Sequence, residues 1–392
     1  MSEITLSTMT GSRQGLSLER FEAHSPHRVR HILFPWASAW NELLSIGLHN
    51  RGPDISQVGT TWLGSLVGMQ SLRPFTDSEI TRIRGGGDFI PAAWTSSMIP
   101  GEAQHYAIPW IADTRLFLYR RDLLDKAGID EAHAFESHEA LVDTLRRLQA
   151  AGIEMPLALS TREEVVHNAA PWVWGAGGHF RSPDRRRLTF TDEKVLLGIE
   201  QFYSLHRFLS PPARGLTIMQ LNDLFVAGQA AVILTVHNLI PQLVFHTPPV
   251  YGLANIGAAV CPGIPFIGGS SLVIWRHTTA ENAALDLIRF LSTPEAQQSH
   301  YLHTSELPTR IDALESDLFK TNPLFKAVAQ SLKTGRAFQS GYQWATVETR
   351  LSSVLNQLWQ DLFQDPSLDL RGEIASRLGD ISSRLERTLF TR

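Results

Sequence analysis

The chain has 392 residues, 43% hydrophobic and 19% charged, with 35 Lys and Arg against 39 Asp and Glu for a formal charge of -4. That length exceeds the usual span of one hydrophobic core and predicts about two domains, while the ordinary globular composition argues against disorder. The weak negative charge offers no field to gather a polyanion, so nucleic acid is not an expected partner.

The first hundred residues alternate short β-rich runs with amphipathic stretches, the rhythm of a sheet with helical crossovers. Residues 4–9 read as strand and 16–24 as helix, 29–34 and 39–48 repeat the pair, and 54–58 form a third strand. Ligands of such sheets bind beyond the carboxyl ends of the strands, so segments 10–13, 35–40 and 59–62 are expected to converge on one edge. Farther on, 115–120 reads as extended and 121–127 as helix closed by Gly128, and Ser137 is placed to cap a helix running through Gln149. Helices are expected at 192–208, with acidic residues in its first turn, and at 219–227; a buried strand follows at 231–236. Near the end, Val347, Leu351, Val354, Leu355, Leu358 and Leu362 recur at helical spacing and read as core.

Residues 224–275 contain no Asp, Glu, Lys or Arg. Pro241, Pro248, Pro249, Pro262 and Pro265 interrupt them, so no piece approaches the ~20 apolar residues of a spanning helix, and successive buried strands are expected instead. The lone Cys261 supports neither an internal disulfide nor a multi-thiolate metal site and reads as buried. No basic region followed by an apolar stretch opens the sequence; an extracytoplasmic location would require an export signal removed before Met1.

Searches for G-x-x-x-x-G-K-[ST], H-E-x-x-H, G-x-S-x-G and a post-strand G-x-G-x-x-G find none, and the run Gly85-Gly86-Gly87 reads as a flexible loop. Fifteen scattered histidines suggest no metal site, and no cofactor is expected. The ten tryptophans include Trp36, Trp40, Trp62, Trp172, Trp174 and Trp344 where strands give way to loops. Indole faces suit the C–H faces of a sugar ring and the N–H suits a hydroxyl, although each tryptophan taken singly also fits core packing.

The run Tyr106-Ala107-Ile108-Pro109-Trp110-Ile111-Ala112-Asp113-Thr114-Arg115, continuing to Gly128, resembles the lobe-crossing segment of the maltose-type extracellular solute-binding proteins of ABC importers. Further similar pieces follow in order: Pro53 to Gly59, Pro171 to Gly178, Phe225 to Val232, Gly268 to Ile274, Ala283 to Leu291, and Leu307-Pro308-Thr309-Arg310. The resemblance implies an α/β, two-lobed periplasmic-binding-protein-like fold of class II, with residues 1–112 plus 261–309 in the first lobe and 113–260 plus 310–392 in the second. It implies a monomer, on the outer side of the cytoplasmic membrane, that closes around a carbohydrate, delivers it to membrane permease subunits and catalyses nothing.

Carried over residue by residue, Asp113 matches an acidic sugar-hydroxyl ligand, with an ion pair to Arg115 as its structural alternative. Thr61 and Trp62 match a contact loop, as do Thr10, Gly11 and Ser12 after the first strand, with Trp36 nearby. Gly268, Gly269 and Ser270 match a loop whose backbone approaches the ligand closely, with tight packing as the alternative. Trp344 matches a stacking residue, and Trp172, within the similar piece Pro171 to Gly178, is a further candidate ligand contact. Where relatives commonly carry Gly-Pro-Trp this chain has Val236-His237-Asn238, and another often aromatic position holds His167 and Asn168; both departures argue against maltose itself and for a different or smaller glycan held by more polar contacts. A phosphorylated polyol, a polyamine and, from another class, a hydrolysed glycoside are the rival ligands.

Overall fold

The computed structural model describes residues 3–10, 17–182, 187–339 and 341–389. The chain forms two compact units: unit 1 holds Met1–Asp113, Ile267–Lys320 and Ala337–Ala345, and unit 2 holds Thr114–Phe266, Thr321–Arg336 and Thr346–Arg392. Among the described residues the strands are β1 (Glu3–Met9), β2 (Arg28–Phe34), β3 (Ile55–Gly59), β4 (Leu72–Arg73), β5 (Ile108–Arg120), β6 (Leu157–Leu159), β7 (Val232–Val236), β8 (Ile256–Val260), β9 (Ile267–Trp275) and β10 (Leu307–Pro308).

In unit 1, β1 runs parallel to β2, from Glu3 opposite Arg28 to Met9 opposite Phe34, and parallel to β3, with Leu6 opposite Ile55. Helices Leu18–Ala23 and Trp36–His49 are the crossovers. Strand β9 returns antiparallel to β3, with Gly59 opposite Ser270, and β10 pairs antiparallel with the first half of β5, Leu307 opposite Ala112. Because successive strand residues face opposite ways, β9 feeds two apolar layers. Leu272 and Ile274 join Ile4, Leu6, Ile55 and Phe75, whereas Val273 and Trp275 join Met9, Val58, Leu63 and Leu66. The run Gly85-Gly86-Gly87 belongs to a helix end: Thr76 and Glu79 form a capping box at the start of helix Asp77–Arg84, and Gly85 caps its end at φ 57°. The expected flexible loop is therefore a C-cap, which needs the left-handed conformation glycine adopts without strain.

In unit 2, the second half of β5 lies between β7 (Arg115 opposite Val236) and β8 (Leu116 opposite Val260), both antiparallel, and β6 extends the sheet parallel to β7. Leu116, Phe117, Leu118, Val232 and Ile233 are fully buried, as a sheet covered on both faces requires. The extended stretch expected from residue 115 starts seven residues earlier, at Ile108. Ser137 accepts a hydrogen bond from the Ala140 N–H at 3.1 Å and so caps helix His138–Ala150. The charge-free span 224–275 begins at the end of helix Ile218–Val226 and then forms β7, β8 and β9, with the short helical segments Leu239–Pro241, Gln242–His246 and Leu253–Asn255 between β7 and β8. No described helix is long and apolar enough to cross a membrane. The late stripe lies on helix Trp344–Gln364, where Val347, Leu351, Leu355, Leu358 and Leu362 are buried.

Candidate functional site

Parallel pairing of β1, β2 and β3 places their carboxyl ends on one edge of the unit 1 sheet, and antiparallel β9 begins at that same edge. Thr10 lies in the turn after β1, its N–H donating to the Phe34 carbonyl at 3.0 Å. Trp36, expected in a loop, instead opens helix Trp36–His49, because Pro35 already supplies an extended N-cap, and it is 46% exposed. Thr61 and Trp62 sit in the turn after β3, anchored by the Trp62 N–H to the Gly59 carbonyl (2.9 Å) and by the Thr60 N–H to the Gly269 carbonyl (3.1 Å). The Trp62 ring folds back over Gly59, where an added Cβ would meet it at 3.2 Å. It contacts the rings of Trp40 at 5.5 Å and Trp36 at 6.0 Å between centroids. Three indoles thus cluster at the carboxyl edge, while Trp40 and Trp62 also pack on the core beneath.

Gly268, Gly269 and Ser270 lie within β9, not in a loop. Gly269 holds φ 126°, and a Cβ there would stand 2.0 Å from the Ile111 carbonyl oxygen, so glycine is required for β9 to lie against β5. Ser270 accepts a hydrogen bond from the Gln57 amide at 2.8 Å. Asp113, half-buried in β5, follows the Ile111–Ala112 pair that meets Gly269. Trp344, in unit 1, is 2% exposed and packs on Phe338 at 4.9 Å, so in this conformation its ring is covered. The exposed aromatic nearby is Tyr342, 45% exposed, whose ring covers Gly68 and whose carbonyl accepts a hydrogen bond from Ser65 at 3.3 Å. Its hydroxyl donates to Glu102, which pushes the phenol up to about 12. Gly11 and Ser12 lie outside the described residues.

Unit 2 brings a separate set together. Arg115 is 1% exposed, pairs with Glu164, and places its guanidinium 4.9 Å from the Phe266 ring centre. His167 stacks on the same ring at 4.5 Å, its Nε2 lies 2.6 Å from Glu348, and its Nδ1 lies 3.8 Å from Glu164. Glu164 has φ 55°, the left-handed conformation that a non-glycine residue adopts at a cost, immediately before helix Val165–Gly175. Asn168 is buried. Trp172 is 2% exposed, donates its indole N–H to His138 at 3.2 Å, and packs on Phe202 at 5.0 Å, so it belongs to the core of unit 2. Asn238 is exposed in the turn after β7, and the buried His237 donates its backbone N–H to the Thr114 carbonyl at 3.1 Å.

Glu164, Phe266, Tyr342 and Glu348 escape sequence reasoning, because a lone Glu, Phe or Tyr carries no spacing signal and their meaning comes from tertiary pairing. Among the described residues, no group of three or more His, Cys, Asp or Glu could hold a metal ion.

Residues 17–327 match the family described as bacterial extracellular solute-binding protein. Among solved structures, the sugar-binding protein MalE of Xanthomonas citri is 19% identical with a TM-score of 0.85, covering 100% of both chains. Maltose-bound MalE3 of T. maritima is 19% identical with a TM-score of 0.79, over 99% of this chain and 100% of that one. The GacH receptor of Streptomyces glaucescens, solved unliganded and with acarbose, is 19% identical with a TM-score of 0.78, over 99% of each chain. At this level of identity the likeness shows the fold, the two-lobed α/β architecture.

Proposed function

Because the chain belongs to the family of bacterial extracellular solute-binding proteins, we propose that its solute is a carbohydrate, captured outside the cytoplasmic membrane and passed as a monomer's cargo to the permease subunits of an ABC importer. The observation that carries this reading is the cluster of Trp36, Trp40 and Trp62 at the carboxyl edge of three parallel strands. Indole faces there supply the apolar surface a sugar ring stacks on, and Asp113 in β5 supplies a hydroxyl acceptor. Similar folds named for maltose, acarbose and sugar binding support the same class of solute.

The two compact units are taken as the two lobes. The candidate contacts in unit 1 are Thr10, Trp36, Thr61, Trp62, Asp113 and Gly269; within unit 2, taken by itself, they are His167 and Asn238. No bond in the solute is broken. A thermal-shift screen over mono-, di- and oligosaccharides, polyols, glycerol phosphates and polyamines tests the reading. A carbohydrate hit should raise the melting temperature with ligand concentration, by about 2.7 kcal/mol of added stability at one hundred times Kd, and the sugar should be recovered chemically unchanged. A screen with no carbohydrate hit overturns the solute class, and turnover of the bound sugar overturns the purely binding role.

A further inference from the structure

Arg336 differs from six other partly or fully buried arginines. Arg73, Arg115, Arg120, Arg310, Arg371 and Arg377 each meet a carboxylate. Arg336 is half-buried, and among the described residues its side-chain hydrogen-bond partner is a neutral ring: its Nη2 donates to His179 Nδ1 at 2.7 Å. The guanidinium also lies 5.2 Å from the ring centre of Trp174, which holds the planar fork in place. Burial pulls this arginine below its ordinary pKa, and among the described residues no carboxylate pairs with it.

A second cation stands close by. The Lys194 ammonium reaches across Gly177, two residues before His179, to 3.4 Å from where a Cβ would sit. Burial first, then Arg336 and Lys194, depress the His179 imidazole. With Nδ1 accepting from Arg336, neutral His179 carries its proton on Nε2 and so presents a donor. Lys194 and His179 are exposed, so the cluster is open to solvent. It is also continuous with the set around His167: the Arg336 N–H donates to the Pro265 carbonyl at 2.8 Å, Trp174 stacks on Phe266 at 6.2 Å, and Phe266 stacks on His167.

We propose that Arg336, Lys194 and His179 form a subsite for the anionic group, carboxylate or phosphate, of an acidic sugar. This rests on the reading of the chain as a carbohydrate-binding protein and narrows its solute. An arriving anion supplies the counter-charge that no described residue gives Arg336, so desolvation already incurred in the free protein is offset on binding.

Isothermal titration calorimetry on the full chain, with hexuronic acids, hexose phosphates and the corresponding neutral sugars at low and high salt, tests the assignment. Acidic sugars should bind more tightly than neutral ones, and added salt should shrink that preference. Arg336→Gln and Lys194→Gln should each lower the acidic-to-neutral affinity ratio about tenfold or more. The exposed Lys194 variant decides the matter if Arg336→Gln fails to fold. Acidic sugars binding no better than neutral ones, or a preference that survives both substitutions, overturns the subsite. The uronic-acid and phosphate arms distinguish the two anions. Inorganic phosphate is run in parallel: if no sugar of any kind binds, the carbohydrate reading falls, yet phosphate binding lost in Arg336→Gln upholds the anion subsite, and no phosphate binding overturns it.

Discussion

Replacing Trp62 with alanine separates solute binding from packing. Trp62 contacts Trp40 and Trp36 at 5.5 and 6.0 Å and lies over Gly59, so alanine removes two ring contacts of about 0.5–1.5 kcal/mol each, a stability loss of roughly 1–3 kcal/mol. If the exposed side of the cluster stacks a sugar, affinity should fall by a further roughly 1.5–3 kcal/mol, or about 10- to 150-fold in Kd. Chemical denaturation measures the first effect, and calorimetric titration with the best sugar from the screen measures the second. Trp62→Phe, which keeps an aromatic face, should recover part of the affinity. The control is Trp172→Phe: its ring is enclosed in unit 2 and bonded to His138, so it should lower stability with little change in Kd. Affinity within twofold of wild type in a folded Trp62→Ala protein refutes the assignment of the indole cluster to the solute.

Three further outcomes follow from the packing. Glu164→Gln removes a carboxylate partner of an arginine that is 1% exposed, and should cost roughly 2–4 kcal/mol in urea unfolding, whereas Arg115→Met with Glu164→Gln should recover most of it; a double variant no more stable than Glu164→Gln alone would contradict the pairing. Glu79, held at about 2 by its bonds from both Arg73 terminal nitrogens (2.7 and 2.9 Å), contributes stability that is complete above its unfolded value near 4.5 and lost as pH falls toward 2. Glu79→Gln should therefore cost roughly 1–2 kcal/mol at pH 7, after allowance for solvent screening, with the gap from wild type closing between pH 4.5 and 2, and a pH-independent gap would exclude ionisation as the cause. Gly269→Ala forces a Cβ against the Ile111 carbonyl and should destabilise the chain by more than about 2 kcal/mol; an unchanged denaturation midpoint would show that β9 need not lie so close.

Much of the scaffold was legible in local pattern. The alternation of runs 4–9, 29–34 and 54–58 with helices predicted the parallel strands β1, β2 and β3, because period-2 and period-3.6 apolar patterns encode which face an element buries. The carboxyl-edge convergence of Trp36 and Trp62 followed from that topology, and the Ser137 cap and the stripe from Val347 to Leu362 followed from helix physics. Family membership was legible in the run from Tyr106 to Gly128. Local pattern is silent on which tryptophans are covered. Trp36, Trp172 and Trp344 all looked like loop-edge aromatics, and only long-range packing separated the exposed Trp36 from the enclosed other two. It was equally silent on Glu164, Glu348 and Arg336, whose roles depend on partners up to 181 residues away. Propensity and periodicity act within a few residues and so determined the elements and their order; charge compensation and ring burial depend on groups remote along the chain, and only the tertiary structure decided them.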